Sequence, residues 1–228
     1  VAHCGSEKIW HWKHKSRRRC DPWWENETQW HRDWKNQFPE DWQETVHFDD
    51  NGEKHIADVK TERGWVLEFQ HSRLEPEERQ SRNAFYCPKL IWVVDALRRK
   101  TDLTQFEEMM SRASWVGGPG PFRTAPPHNC RLVREWSGSD AQILFDFGPN
   151  RALFWMVGQL SNGKVLFANY THTGFIADVQ KGTSLDEHVK SLGTIVEMCE
   201  ESIRLALRRR PHHPLPGPTR RTHRPRRF

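Results

Sequence analysis

Residues 55–70 read His55-Ile-Ala-Asp-Val-Lys60-Thr-Glu-Arg-Gly-Trp65-Val-Leu-Glu-Phe-Gln70. Two short runs rich in β-branched and aromatic residues, His55–Lys60 and Trp65–Gln70, flank Thr61-Glu-Arg-Gly64, a connection with turn chemistry, which predicts an antiparallel hairpin. Each run holds a carboxylate with apolar neighbours on both sides, Asp58 and Glu68. A charge buried there without a partner costs on the order of several kcal/mol, so each must lie exposed at a cleft, be paired, or bind a metal. Side chains alternate along a strand, so Glu68 and Gln70 share one face while Leu67 and Phe69 take the other. If the strands pair around Gly64, Asp58 comes near Glu68, and two carboxylates converge with an amide oxygen. Hard oxygen ligands at one point describe a Mg²⁺ or Mn²⁺ site. The other reading of the same residues is a pair of edge charges on a half-exposed sheet, neutralised by Lys60 or Arg63.

The neighbouring segments build outward from this hairpin. Upstream, Trp30, Trp34 and Phe38 recur every four residues and define one face of a helix over about 25–38, ended near Pro39. Glu27, His31 and Lys35 repeat the spacing on an adjacent face, either a functional row of acid, imidazole and amine or a solvated face with favourably spaced charges. A further strand, Glu44–Phe48, joins the hairpin through Asp49-Asp-Asn-Gly52. Downstream come a helix over about 76–85, a fully apolar strand over Lys89–Asp95 of the kind found inside a sheet, and a helix over about 103–112. The order helix, three-strand meander, helix, strand predicts an α/β sandwich around a mixed sheet.

Gly117-Gly-Pro-Gly-Pro121 is the strongest internal break. Beyond it, Arg131–Trp136, Gln142–Phe147, Ala152–Val157 and Lys164–Asn169 read as short strands of a second meander, closed by an amphipathic helix over Leu185–Leu207. The expected divisions are therefore 1–24, a Cys/His-rich opening; 25–114, the α/β core; 122–207, a β-rich accessory region with its closing helix; and 208–228, a basic tail. The echo between His55-Ile-Ala-Asp-Val59 and Phe175-Ile-Ala-Asp-Val179 is too short to be a repeat.

Charge is divided unevenly. Nine of the 35 Lys and Arg residues lie between Arg204 and Phe228, which holds no Asp or Glu; residues 1–203 are left with a net charge of −4. Any field that attracts nucleic acid thus resides mainly in the tail, whose prolines and charge oppose a packed core. Mean hydropathy is −0.88, and runs such as Leu90-Ile-Trp-Val-Val94 fall far short of the roughly 18 apolar residues of a membrane span. With no secretory segment in view, the expectation is a cytoplasmic protein without membrane contact. Five scattered cysteines, Cys4, Cys20, Cys87, Cys130 and Cys199, argue against a disulfide framework. Cys4, His11, His14 and Cys20 have the types and spacing of Zn²⁺ ligands, with packing of the two histidines against Trp10 and Trp12 as the alternative. The chain starts with Val inside what reads as a motif, which suggests an N-terminally incomplete sequence.

Taken together, Glu27-Thr-Gln-Trp-His31-Arg-Asp-Trp-Lys35, Ala57-Asp58-Val59, Glu68-Phe-Gln70-His-Ser72 and Arg82…Tyr86 resemble the CoiA-like competence protein family, whose nuclease core belongs to the PD-(D/E)XK superfamily. The likeness spans roughly residues 11–95. It implies a restriction-endonuclease-like core and a Mg²⁺-dependent DNA endonuclease, working in DNA uptake and recombination or in a related defence or mobile-element role. It assigns Glu27, Asp58 and Glu68 as metal ligands and places His31 beside them, as a proton-transfer group, a phosphate contact or an orienting residue. Gln70 stands where the superfamily usually has lysine, although the CoiA-like branch carries the Glu-x-Gln form; Lys35 or Lys60 could return the missing charge. Lys35, Arg82, Arg220 and Arg221 are the expected DNA contacts, recombination or helicase proteins the expected partners, and a zinc-ribbon-like element the expected form of the opening. The competing readings are a catalytically silent nucleic-acid-binding protein on the same fold and a protein-interaction module.

Overall fold

The computed structural model describes Trp23, residues 27–48, Gly52, and residues 54–117 and 121–208. Cys4, His11, His14 and Cys20, and the tail arginines Arg220 and Arg221, lie outside the described residues.

The first helix, α1 (Gln29–Lys35), is shorter than its aromatic periodicity suggests. Thr28 is extended and caps it, accepting the His31 N–H, so Glu27 and Thr28 precede the helix. Then follow β1 (Gln43–Phe48), β2 (Lys54–Lys60) and β3 (Val66–Gln70), an antiparallel meander. Helix α2 (Pro76–Tyr86) crosses over to β4 (Leu90–Asp95), which pairs parallel to β3. The expected order of helix, meander, helix and strand is therefore present, with boundaries moved by a few residues.

After α3 (Lys100–Ser111), two strands the sequence does not announce, β5 (Ser114–Trp115) and β6 (Phe122–Ala125), flank the Gly/Pro break as an antiparallel pair. Arg131–Trp136, expected as a strand, is instead helix α4. Its buried residues are Leu132, Val133 and Trp136, a helical spacing; a strand would have put Leu132 and Val133 on opposite faces. Strands β7 (Gln142–Asp146), β8 (Leu153–Gln159) and β9 (Val165–Tyr170) form the second meander, followed by α5 (His172–Lys181) and α6 (Thr183–Arg208).

One nine-stranded mixed sheet, in the order β1-β2-β3-β4-β7-β8-β9-β6-β5, carries both halves of the chain. The joint is β4 with β7, paired parallel from Ile91/Gln142 to Asp95/Asp146. Helices cover both faces. On one, Phe106, Leu132, Val133 and Trp136 pack on Trp92, Val94 and Phe145; on the other, Trp34, Phe175, Val179 and Leu185 pack on Leu67, Phe69, Val93 and Trp155. A strand buried on both faces reads as a continuous apolar run, which explains β4. No helix among the described residues is long and apolar enough to cross a membrane.

Candidate active site

The register of the first hairpin brings the two strand carboxylates together. β2 and β3 pair at Lys60/Val66 and Val59/Leu67, so the next pair across would be Asp58 and Glu68. There the main-chain ladder stops, and Asp58 takes over with its side chain: Oδ2 accepts the Phe69 N–H at 2.8 Å. The two acidic groups thus line one small pocket of about 100 Å³ with Glu27, His31, Glu44 and Gln70. Asp58 keeps 26% of its side chain exposed, at the pocket mouth, while Glu68 lies deeper at 4%.

Arg82 on α2 holds the floor of the pocket. Its Nη1 is 3.1 Å from Glu68 Oε2, its Nη2 is 2.5 Å from Glu78 Oε1 and donates to the Trp23 carbonyl at 2.7 Å. The guanidinium also lies over the rings of Trp23 and Trp92. Glu68 Oε1, by contrast, is buried with no hydrogen-bond partner among the described residues. Burial pushes the Glu68 carboxyl well above its ordinary pKa, and the adjacent Asp58 pushes it further, against the pull of Arg82. Burial raises Asp58 as well, opposed by His31, whose Nε2 lies 3.9 Å from Oδ2, and by the Phe69 N–H.

Lys35 is 5% exposed, with its ammonium between Glu27, with which it pairs, and Glu44, at 2.7 Å. Burial works against that charge, but the two carboxylates outweigh it and its pKa is raised. Glu44 was not singled out from sequence. The pairs Gln43/Val59 and Thr45/Ala57 bracket it opposite Asp58, so the strand register would have found it. Its backbone has φ 50°, a left-handed conformation that costs a non-glycine residue about 1–3 kcal/mol, and the Lys35 pair helps to hold it there. Gln70 lies on the pocket wall with its amide nitrogen 3.2 Å from both the carbonyl and hydroxyl oxygens of Ser72.

A divalent cation suits this donor set. Asp58 and Glu68 repel each other across the register and Glu68 has an orphaned oxygen; a cation between them would relieve both. Among the described residues, though, no three His, Cys, Asp or Glu side chains already stand close enough together to hold one. Glu27, the third expected ligand, is exposed and committed to Lys35.

A second polar row lies at the C-terminal ends of β4 and β7, where Asp95 pairs with Asp146 in register. Asp95 Oδ2 is 2.7 Å from His71 Nδ1. Asp146 accepts from the indoles of Trp30 and Trp34, both at 2.9 Å, and from the Gly148 N–H at 2.8 Å, and lies 3.1 Å from His172 Nε2. The aromatic stripe of α1 is therefore a polar dock as well as core, which its spacing alone did not reveal. The only sequence signal for this row was an aspartate ending an apolar strand. A search for relatives found no matching family model, no matching curated protein and no matching solved structure.

Proposed function

We propose that the protein is a Mg²⁺-dependent DNA endonuclease of the CoiA-like kind, built on a restriction-endonuclease-like core. The observation that carries this reading is that Asp58 and Glu68, at the next position beyond the β2–β3 ladder, line one pocket, with a buried Glu68 oxygen that has no hydrogen-bond partner among the described residues. The order α1, three-strand meander, α2 and parallel β4 supports the core assignment.

In this reading Asp58 and Glu68 hold the cation, which when bound supplies Lewis-acid polarisation of the phosphodiester and lowers the pKa of a coordinated water. The remaining work belongs to the chain's own groups. The Phe69 N–H and Arg82 fix the two carboxylates in place. Lys35 positions Glu27 and Glu44 at the rim, and His31 takes a proton from the Asp58 side of the pocket. Ser72 engages the amide nitrogen of Gln70, so its carbonyl oxygen is the end assigned to the cation or its water. DNA is held by the tail, including Arg220 and Arg221, and recombination or helicase proteins are the matching partners.

The test is cleavage of single-stranded, duplex and branched DNA with Mg²⁺ or Mn²⁺. Activity that EDTA stops is the expected result. No cleavage of any form would favour the silent binder, a reading to which one observation lends weight: Arg82, which lines the pocket, and Lys35, which pairs with two of its lining carboxylates, are already matched and offer no ready charge to the reaction. Within the active protein, Gln70→Ala is expected to slow cleavage about 10²-fold, the size of one lost electrostatic contact. Unchanged rates with matched Mg²⁺ dependence would remove Gln70 from catalysis. Deleting residues 208–228 should weaken DNA binding and flatten its salt dependence, since fewer counterions are released. Affinities equal to the full chain at low and moderate salt would make the tail a bystander.

A further inference from the structure

A second pocket, of about 300 Å³, opens between α2, the end of β4 and α4. Four of its lining residues are arginines, Arg73, Arg79, Arg98 and Arg134. It also holds two carboxylates, and both are engaged elsewhere. Asp95 faces His71 and accepts the Leu97 N–H at 2.8 Å, while Glu135 lies 2.8 Å from Arg99 and 2.7 Å from Arg131. Arg79 donates to the Glu135 carbonyl and Arg134 to the His128 carbonyl, contacts that leave their charge in place. Arg98 is half-buried and, like Arg134, has no carboxylate partner among the described residues. Burial, and then the neighbouring Arg99, loosen its hold on its proton, against the pull of Glu135, Asp102 and Asp95, none of which is within ion-pair distance of it. Arg73 is matched by Glu75 at 3.2 Å, so the positive charge in excess in this recess belongs to Arg79, Arg98 and Arg134.

Two further features suit an anion. Pro76, the first residue of the 11-residue α2, lines the recess, and the residue before it, Glu75, makes no side-chain cap, so the Glu77 and Glu78 N–H groups remain for a ligand, while the nearby carboxylates of Glu75 and Glu78 are taken up by Arg73 and Arg82. Guanidinium groups match the oxygens of a phosphate in paired hydrogen bonds, and the apolar walls from Leu132 and Trp136 limit screening by water. The position is also the C-terminal end of the parallel pair β3 and β4, a common place for ligands in such sheets. Ser72, on the wall of this recess, holds the amide of Gln70 on the wall of the carboxylate pocket, so the two are neighbours.

We propose that this recess binds a phosphate monoester, either the terminal phosphate of a DNA strand or a free nucleotide. Its volume admits a phosphate with part of its nucleoside and excludes a duplex. The link to a strand end rests on the nuclease reading; the anion site does not.

The experiment uses the full chain carrying Glu68→Gln, in EDTA, so that cleavage plays no part. Its probes are one short single-stranded oligonucleotide with a 5′-phosphate, with a 3′-phosphate or with neither, together with a nucleoside monophosphate and inorganic phosphate. One phosphorylated form should bind about tenfold more tightly than the unphosphorylated one, as expected for a charge-assisted contact, and inorganic phosphate should compete that gain away. Arg98→Gln should abolish the gain while leaving binding of the unphosphorylated strand unchanged. Should Arg98→Gln fold poorly, Arg134→Gln at the rim carries the same comparison. A mononucleotide that binds as tightly as the phosphorylated strand would identify the free nucleotide as the ligand. Equal affinity for all three strands, with no binding of the mononucleotide, would overturn the proposal, as would a gain that survives both variants. Because no step needs Mg²⁺, failure of the nuclease reading leaves this outcome separately readable.

Discussion

Asp58→Ala and Glu68→Ala are each expected to lower Mg²⁺-dependent cleavage by on the order of 10³-fold or more, because each removes one of the two charged oxygen donors that would hold the cation. Asp58 and Glu68 stand opposite each other just past the last β2–β3 pair and line one pocket, where Glu44, opposite Asp58 on β1, is already paired with Lys35. Glu68→Gln is the sharper variant. It keeps shape and the bond to Arg82 but drops the charge that burial and Asp58 already disfavour. It should therefore be inactive yet close to wild type in stability in metal-free buffer, because Glu78 keeps Arg82 paired, a combination read from single-turnover rates and urea midpoints. A Glu68→Gln protein that cleaves at near wild-type rates would refute the metal-site assignment. A destabilised one would show that the Glu68 charge is needed by the fold.

The second large effect concerns Asp146. Its 4%-exposed carboxylate gathers two indole N–H groups, His172 and a backbone N–H, and so ties α1 and α5 to the end of β7. Asp146→Ala leaves these donors buried without an acceptor, at about 1–3 kcal/mol for each unsatisfied group. A loss of about 3 kcal/mol or more is expected in urea denaturation, while Asp146→Asn, which keeps one acceptor oxygen, should lose less. Cleavage should fall with it, because α1 carries His31 and Lys35 and is preceded by Glu27. Burial alone would raise this carboxyl; the His172, Trp30 and Trp34 contacts outweigh it and hold the pKa below the usual aspartate range. The sign follows: stability from Asp146 is full above the unfolded value of about 3.9 and is lost as pH falls through the lower folded value. The gap between wild type and Asp146→Asn should therefore narrow on acidification below about pH 4 and stay constant above about pH 5. A gap independent of pH across that range would deny Asp146 its charged role.

Much of the sheet and part of the site were legible locally. Apolar alternation and a turn at Gly64 are enough to make a hairpin of residues 55–70, and a carboxylate flanked by apolar neighbours is conspicuous wherever the hairpin sits. The His31 and Lys35 spacing likewise carried to the pocket region, since helical periodicity is a property of the backbone itself, whereas Glu27 reaches it from the segment before α1 through its pair with Lys35. Other assignments depended on partners far away in the chain. Whether Lys35 faces DNA or ion-pairs was decided by Glu44, nine residues on and in a strand, and the role of the Trp30 and Trp34 indoles by Asp146, more than a hundred residues away.

The tetrapeptide Ile-Ala-Asp-Val separates the two contributions most clearly. At 56–59 it lies in β2, with Ala57 and Val59 buried two residues apart; at 176–179 it lies in α5, with Phe175 and Val179 buried four apart. Asp58 reaches the Phe69 N–H at the end of a ladder, whereas Asp178 receives the Tyr170 hydroxyl. The sequence by itself determined the elements whose periodicity or turns are self-contained: the first hairpin, the apolar β4, the long amphipathic α6. Tertiary structure decided whatever local pattern leaves degenerate: α4 as a helix, β5 and β6 beside the Gly/Pro break, and the joining of both halves through β4 and β7. The reason is physical. Propensity differences in short segments amount to about 1 kcal/mol or less, and burial of two or three side chains against distant neighbours outweighs them.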